Sequence, residues 1–193
     1  GDTVIDLGSG AGNDAFVVRS IVGDHGQVIG IDFAGAMLTK ARENAKNLGF
    51  GNVSFLKGDI EEIPVVEETA NVVISNCVLN LVPDKAKAFS EMYRVIKKGG
   101  HFCVSDIVLV GTLPDELIKE AEMYAGCIAS AIQKEDYFNF IREAGFTNVE
   151  IKKTKDIILP DELLVRYLSA QALEDFRKSN TGIFSITVVG HKK

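Results

Sequence analysis

Three glycines and a set of aspartates near the front of the chain could hold a cationic, nucleoside-like ligand. Gly8, Gly10 and Gly12 stand in the stretch Asp6-Leu7-Gly8-Ser9-Gly10-Ala11-Gly12. A strand that turns on glycine into a helix leaves backbone N–H groups free to meet a polar ligand. The spacing is G-x-G-x-G, whereas dinucleotide sites use G-x-G-x-x-G. Asp6 precedes the first glycine. A pyrophosphate is anionic and disfavours a carboxylate there, while an ammonium or another cation is favoured by it. Asp32 closes the next apolar run, where a carboxylate can accept both hydroxyls of a ribose. Asp59 follows Gly58 after a third run and could accept from an adenine amino group, with Ile60 and Met37 as apolar neighbours of the ring. Taken alone, each aspartate reads equally well as a turn or cap residue. Their order on successive strands is what points to one ligand.

The thiols form a second set. Cys77 lies in Ile74-Ser75-Asn76-Cys77-Val78-Leu79-Asn80, just after a fourth apolar run, and Cys127 lies in Tyr124-Ala125-Gly126-Cys127-Ile128. A free cysteine often packs as a small hydrophobe. That reading suits Cys103, inside an apolar strand, and on spacing alone it stays open for the other two. The histidines, His25, His101 and His191, read as loop, strand-start and tail residues, with no catalytic partner in sequence.

The elements that must position these residues alternate between strand and helix. Val4-Ile5, Val28 to Asp32, Val53 to Phe55, Val72 to Ile74 and Phe102 to Val110 read as strands. Between them, Ala15, Val18 and Val22 share one helical face, and Met37, Ala41, Ala45 and Leu48 share another, each followed by a glycine. Asp84 can cap a helix carrying Phe89, Met92, Tyr93 and Ile96, stopped at Gly99-Gly100. A helical stretch is expected from Pro114 through Tyr124 to Ile132, another around Tyr137 and Ile141, and a third from Asp161 to Lys178. Val149 to Ile151 and Ile183 to Val189 read as two late strands, added antiparallel at one edge. The expected fold is α/β: a Rossmann-like, doubly wound seven-stranded sheet, mostly parallel, with an antiparallel last strand.

With 193 residues the chain is one domain by length. The expected division is a core over 1–110, which carries the glycine turn and would bind the cofactor, and a part over 111–193 expected to roof the substrate and complete the sheet edge. Lys and Arg number 21 against 27 Asp and Glu, a net charge of −6, so neither nucleic acid nor an anionic membrane is an expected partner. Three cysteines without C-x-x-C spacing make neither a disulfide framework nor a zinc site and fit a reducing cytoplasm. The chain opens within two residues of its first strand, which points to a natural leader upstream of Gly1.

The glycine stretch, Asp32 and Asp59 together resemble the class I S-adenosylmethionine-dependent methyltransferases over about Thr3 to Val110. The resemblance implies that S-adenosylmethionine binds at Asp6, Gly8, Ser9, Gly10 and Asp14 around the turn. Asp32, Phe33 and Met37 would follow on the ribose side, Asp59 and Ile60 beside the adenine, and Asn76 at the end of the fourth strand. S-adenosylhomocysteine would leave as product. Ser75-Asn76-Cys77-Val78-Leu79-Asn80-Leu81-Val82-Pro83-Asp84-Lys85 and Tyr124 to Ala131 resemble two signatures of the arsenite methyltransferases within that superfamily. The resemblance to these enzymes spans about Asp2 to Phe146. It implies that Cys77 and Cys127 bind trivalent arsenic, a soft centre suited to thiolates. It also implies a cellular thiol, such as glutathione or thioredoxin, as reductant or third ligand.

Two departures stand out. The family usually carries a further cysteine upstream of the glycine turn, and many members have a polar residue and a proline where this chain reads Phe33-Ala34-Gly35-Ala36-Met37. Nothing after about Leu159 matches a known motif. Rival readings are a methyltransferase of a small organic ring, with both cysteines as packing, and a binding module without turnover; a nicotinamide dehydrogenase is disfavoured by the glycine spacing and Asp6.

Overall fold

The computed structural model describes residues 1–114, 117–119, 128, 130–179 and 181–193. The central strand is β1 (Thr3–Leu7), buried on both faces, which is why it reads as an unbroken apolar run. It is flanked by β2 (Gln27–Asp32) and β4 (Ala70–Asn76), both parallel to it, with β3 (Val53–Lys57) outside β2 and β5 (Ile96–Val110) outside β4. The sheet order is β3-β2-β1-β4-β5-β8-β7, where β7 is Thr147–Asp156 and β8 is Gly182–His191. The mostly parallel seven-stranded sheet is therefore borne out. A two-residue strand, β6 (Ile132–Gln133), adds to β5 at Val108 and Leu109, beyond the point where β4 ends.

Helices cover both faces. Helix α1 (Asn13–Val22) buries Ala15, and α2 (Gly35–Asn47) buries Leu38, Ala41 and Ala45, packing with Val28 and Phe55. On the other face, α3 (Lys85–Val95) buries Ala88, Phe89, Met92 and Val95. Beside it, α4 (Lys134–Glu143) buries Tyr137, Phe138 and Ile141. Phe89 meets Phe102 and Tyr137 at ring distances of 6.2 and 5.3 Å, tying α3, α4 and β5 together. The Asp84 side chain caps α3 through the Lys87 N–H at 2.9 Å, as the sequence predicts. A third apolar cluster joins Ile107, Leu109 and Ile183 of β5 and β8 to Leu113, Leu117, Ile128, Leu159, Leu163 and Leu164.

The two late strands add antiparallel at one edge, as expected: β8 pairs with β5, and β7 lies outside it. Three expectations need correction. Ile96 does not end α3 but opens β5, opposite Ala70, and Gly99-Gly100 lies within that strand. Ile132 is in β6, not at the end of a helix. The stretch Asp161 to Lys178 is two helices, α5 (Asp161–Tyr167) and α6 (Ala170–Lys178), separated where Ser169 caps the second through the Ala172 N–H.

Candidate active site

In this strand order the chain reverses direction across the sheet between β1 and β4, and ligands of doubly wound sheets sit at the carboxyl ends of strands at such a point. The glycine turn leaves β1 there, and Asn76 and Cys77 leave β4 beside it. Gly8 adopts φ +71°, a left-handed conformation that glycine takes without steric cost. The N–H groups of Gly8 and Ser9 both donate to the Ile31 carbonyl, at 2.8 and 3.1 Å, which pins the turn to β2. A side chain at Gly8 would collide with both Val78 methyl groups, so the Cys77-Val78 segment packs directly on the turn.

Asp32 sits at the end of β2 and receives two backbone donors. The Gly10 N–H reaches Oδ2 at 2.9 Å and the Ala34 N–H reaches Oδ1 at 2.8 Å. These fix the carboxylate and leave each oxygen a further lone pair for a hydroxyl. Beside it opens a cavity of about 320 Å³, lined by Gly8, Asp32, Phe33, Gly58, Asp59 and Ile60 on one side and by Val78, Leu81, Val82 and Pro83 on another. The apolar lining with two carboxylates at its edge fits an adenosine: a flat ring between Ile60 and Val78, and donors directed at Asp32 and Asp59. Asp59 spends Oδ1 on the Glu61 N–H at 2.9 Å. Phe33 is 79% exposed at the rim. Met37, on α2, is half-exposed and is not among the residues that line this cavity.

Across the glycine turn lies a second polar group. The Asn76 amide donates to Asp14 Oδ2 at 3.3 Å, joining the end of β4 to the first turn of α1. Asp6 lies beneath, only 2% exposed, with Oδ2 lacking a partner among the described residues. Burial, and then the neighbouring charge of Asp14, push its carboxyl up to about 7, against a partial offset from the Ala15 N–H. An orphaned buried acid beside two more aspartates is a place for a cation, and the sulfonium and ammonium of S-adenosylmethionine fit it. Ser9 Oγ is likewise buried, with no partner among the described residues.

Cys77 is half-buried and takes φ +57°, an uncommon conformation for a residue with a side chain; its N–H donates to the Ser105 carbonyl at 2.8 Å. Cys103 sits within β5 between Ile74 and Val189, and burial pushes its thiol up, as suits a packing residue. Cys127 lies outside the described residues. His101 and His191 face each other across β5 and β8, with ring centroids 5.5 Å apart, at the end of β5 remote from Ser105 and the cleft.

Reading the sequence alone passes over one buried group beside this site. Asp106, Tyr137, Lys85 and Asn80 are all buried. Two signals mark them: an acid in the apolar run Phe102 to Val110, and a lysine in the first turn of α3, where the helix dipole disfavours a cation.

The methyltransferase domain family matches residues 1–145. The chain belongs to the class I S-adenosylmethionine-dependent methyltransferases. It is 45% identical over 151 residues to a protein named arsenite methyltransferase from Halobacterium salinarum, covering 78% of this chain and 39% of that one. It is 30% identical over 211 residues to the human protein of the same name, covering 98% of this chain and 56% of that one. Among solved structures it superposes on CrArsM, an arsenic(III) S-adenosylmethionine methyltransferase from Chlamydomonas reinhardtii, with a TM-score of 0.81 and 32% identity. That match covers 99% of this chain and 64% of that one. The chain thus spans about two fifths to two thirds of the proteins it matches here. S-adenosylmethionine is the cofactor of this family, and the turn, Asp32 and the cavity beside it suit that cofactor.

Proposed function

We propose that the chain transfers a methyl group from S-adenosylmethionine to trivalent arsenic held by the thiolates of Cys77 and Cys127. The observation that carries this is the place of Cys77: at the carboxyl end of β4, on a segment packed against the glycine turn. The similarity to proteins named for arsenite methylation supports the choice of substrate.

Bound cofactor supplies a methyl group already activated by the positive sulfur, and it leaves as S-adenosylhomocysteine. The chain's own residues bind and orient. Asp32 accepts from the ribose hydroxyls, Asp59 from the adenine amino group, and Asp6, Asp14 and Asn76 meet the cationic amino-acid end, with Ser9 and Gly10 forming the turn between. Cys77 and Cys127 hold arsenic in line for reaction, which is where most of the rate gain of such a transfer resides. Arsenic on thiolates keeps a lone pair and carries no proton, so the chemistry calls for no catalytic base. A small cellular thiol such as glutathione supplies the third sulfur; because the new As–C bond uses arsenic's lone pair and raises it formally to the pentavalent state, a thiol reductant such as thioredoxin or glutathione supplies the two electrons that return it to the trivalent state.

The test is X-ray absorption at the arsenic edge with the chain, arsenite and glutathione. The expected spectrum has an all-sulfur shell at about 2.3 Å, the scale of thiolate bonds to soft metals. Arsenite affinity should collapse in Cys77→Ser and in Cys127→Ser and persist in Cys103→Ser. An oxygen shell in the unaltered chain, or equal affinity in all three variants, removes the thiol site.

A further inference from the structure

The polar cluster behind Cys77 has no part in the chemistry above, yet it gathers four segments at one buried point. Asp106 of β5 is 1% exposed in a strand otherwise apolar on that side. Tyr137 of α4, wholly buried, donates its hydroxyl to Asp106 Oδ2 at 3.1 Å. Asp106 Oδ1 is buried with no hydrogen-bond partner among the described residues. The Lys85 ammonium, at the start of α3, donates to the carbonyls of Asn80 and Val82, each at 3.0 Å. Burial pushes the Asp106 carboxyl up to about 7, eased by the Tyr137 hydroxyl, the Ile107 and Asn80 amides and the Lys85 charge. Apolar side chains of similar size would fill this space without the cost of burying two charges.

What these groups surround is the turn that carries the thiol. The Asn80 backbone, held by Lys85 and next to Asp106, belongs to the short helical turn Leu79–Leu81 that follows Cys77. The carbonyl that receives the Cys77 N–H belongs to Ser105, the residue before Asp106. A side-chain-bearing residue at φ +57° stays there only when its surroundings hold it.

We propose that Asp106, braced by Tyr137 and Lys85, is a positioning residue that holds the Cys77 turn in its left-handed conformation and thereby presents the thiol to arsenic. This rests on the thiol site proposed above. Asp106→Asn keeps one acceptor oxygen and replaces the other by an amide donor, close to the Asn80 backbone and the Lys85 ammonium, and Tyr137→Phe removes one hydroxyl with little change of volume.

The experiment measures amide hydrogen exchange at Cys77 together with arsenite and cofactor binding, in the full chain and both variants. The expected result is Cys77 exchange faster by about tenfold or more, as for a local opening, with Val73 and Phe102 unchanged. Arsenite affinity should fall by a similar factor while S-adenosylmethionine affinity holds. Unchanged exchange at Cys77 overturns the proposal, and so does a uniform acceleration at Val73 and Phe102, which marks a plain stability element. If Asp106→Asn does not fold, Tyr137→Phe decides alone. If the unaltered chain binds no arsenite, the substrate reading fails, and the exchange measurement still decides whether Asp106 holds the turn.

Discussion

Asp6 titrates at about 7 in the fold against 3.8 for an ordinary aspartate. Between these values the folded chain binds more protons than the unfolded one, so this residue makes stability fall as pH rises from about 4 to about 7 and level off above. Denaturation of the free chain should show a decline from about pH 4 to pH 7 that is shallower in Asp6→Asn, the remainder coming from Asp106, whose buried carboxyl is pushed up to about 7 as well. A cationic ligand favours the ionised acid, so binding releases a proton and cofactor affinity should rise over the same window in the unaltered chain more than in Asp6→Asn. The cofactor's own amine, with a pKa of about 8, affects both proteins equally and cancels in the comparison. Parallel pH profiles for the two would remove Asp6 from the cofactor's surroundings. At Asp32 the expectation is simpler. Asp32→Ala should weaken S-adenosylmethionine binding by about 1.5–3 kcal/mol, the scale of hydrogen bonds to a charged group, and calorimetry showing no loss would exclude it.

Helix α3 shows what one element contributes to the site. Its cap, Asp84, holds the first turn, and the next residue, Lys85, donates to the Asn80 and Val82 carbonyls that follow Cys77. Asp84→Ala should cost about 1 kcal/mol in chemical denaturation, the usual worth of a cap. No loss would mean that burial of Phe89 and Met92 alone sets the helix. The cap was legible because Asp84 precedes an amphipathic run, and the glycine turn because its residues are contiguous. What stayed hidden depends on contacts distant in sequence. Nothing near Ile183 says that β8 slides between β5 and β7, and nothing near Ile132 says that it extends the sheet past the end of β4. Ile96 is apolar and fits either a helix face or a strand, and only its pairing with Ala70 decides. The Asp106–Tyr137 bond joins two elements across an intervening stretch, and no local pattern pairs them.

Across the whole molecule, a reversal of strand order between β1 and β4 brings the cofactor turn and the thiol-bearing turn to one end of the sheet. The apolar cavity lies on the β2–β3 side of this end and Cys77 on the β4–β5 side, with Val78 packed on Gly8 between them. A net charge of −6 suits a cationic cofactor better than a phosphate-rich one. Among the described residues no helix is long and apolar enough to cross a membrane. On the proposed reading two tasks, holding the methyl donor and holding the acceptor, fall on adjacent strand ends. The central claim is that the acceptor is arsenic on Cys77. Its most direct test counts methyl groups on arsenic, using isotopically labelled S-adenosylmethionine, arsenite and glutathione with the unaltered chain, Cys77→Ser and Cys103→Ser. The account predicts labelled methylarsenic from the unaltered chain and from Cys103→Ser, and none from Cys77→Ser although that variant still binds the cofactor. Labelled methylarsenic formed by Cys77→Ser at the unaltered rate would contradict it.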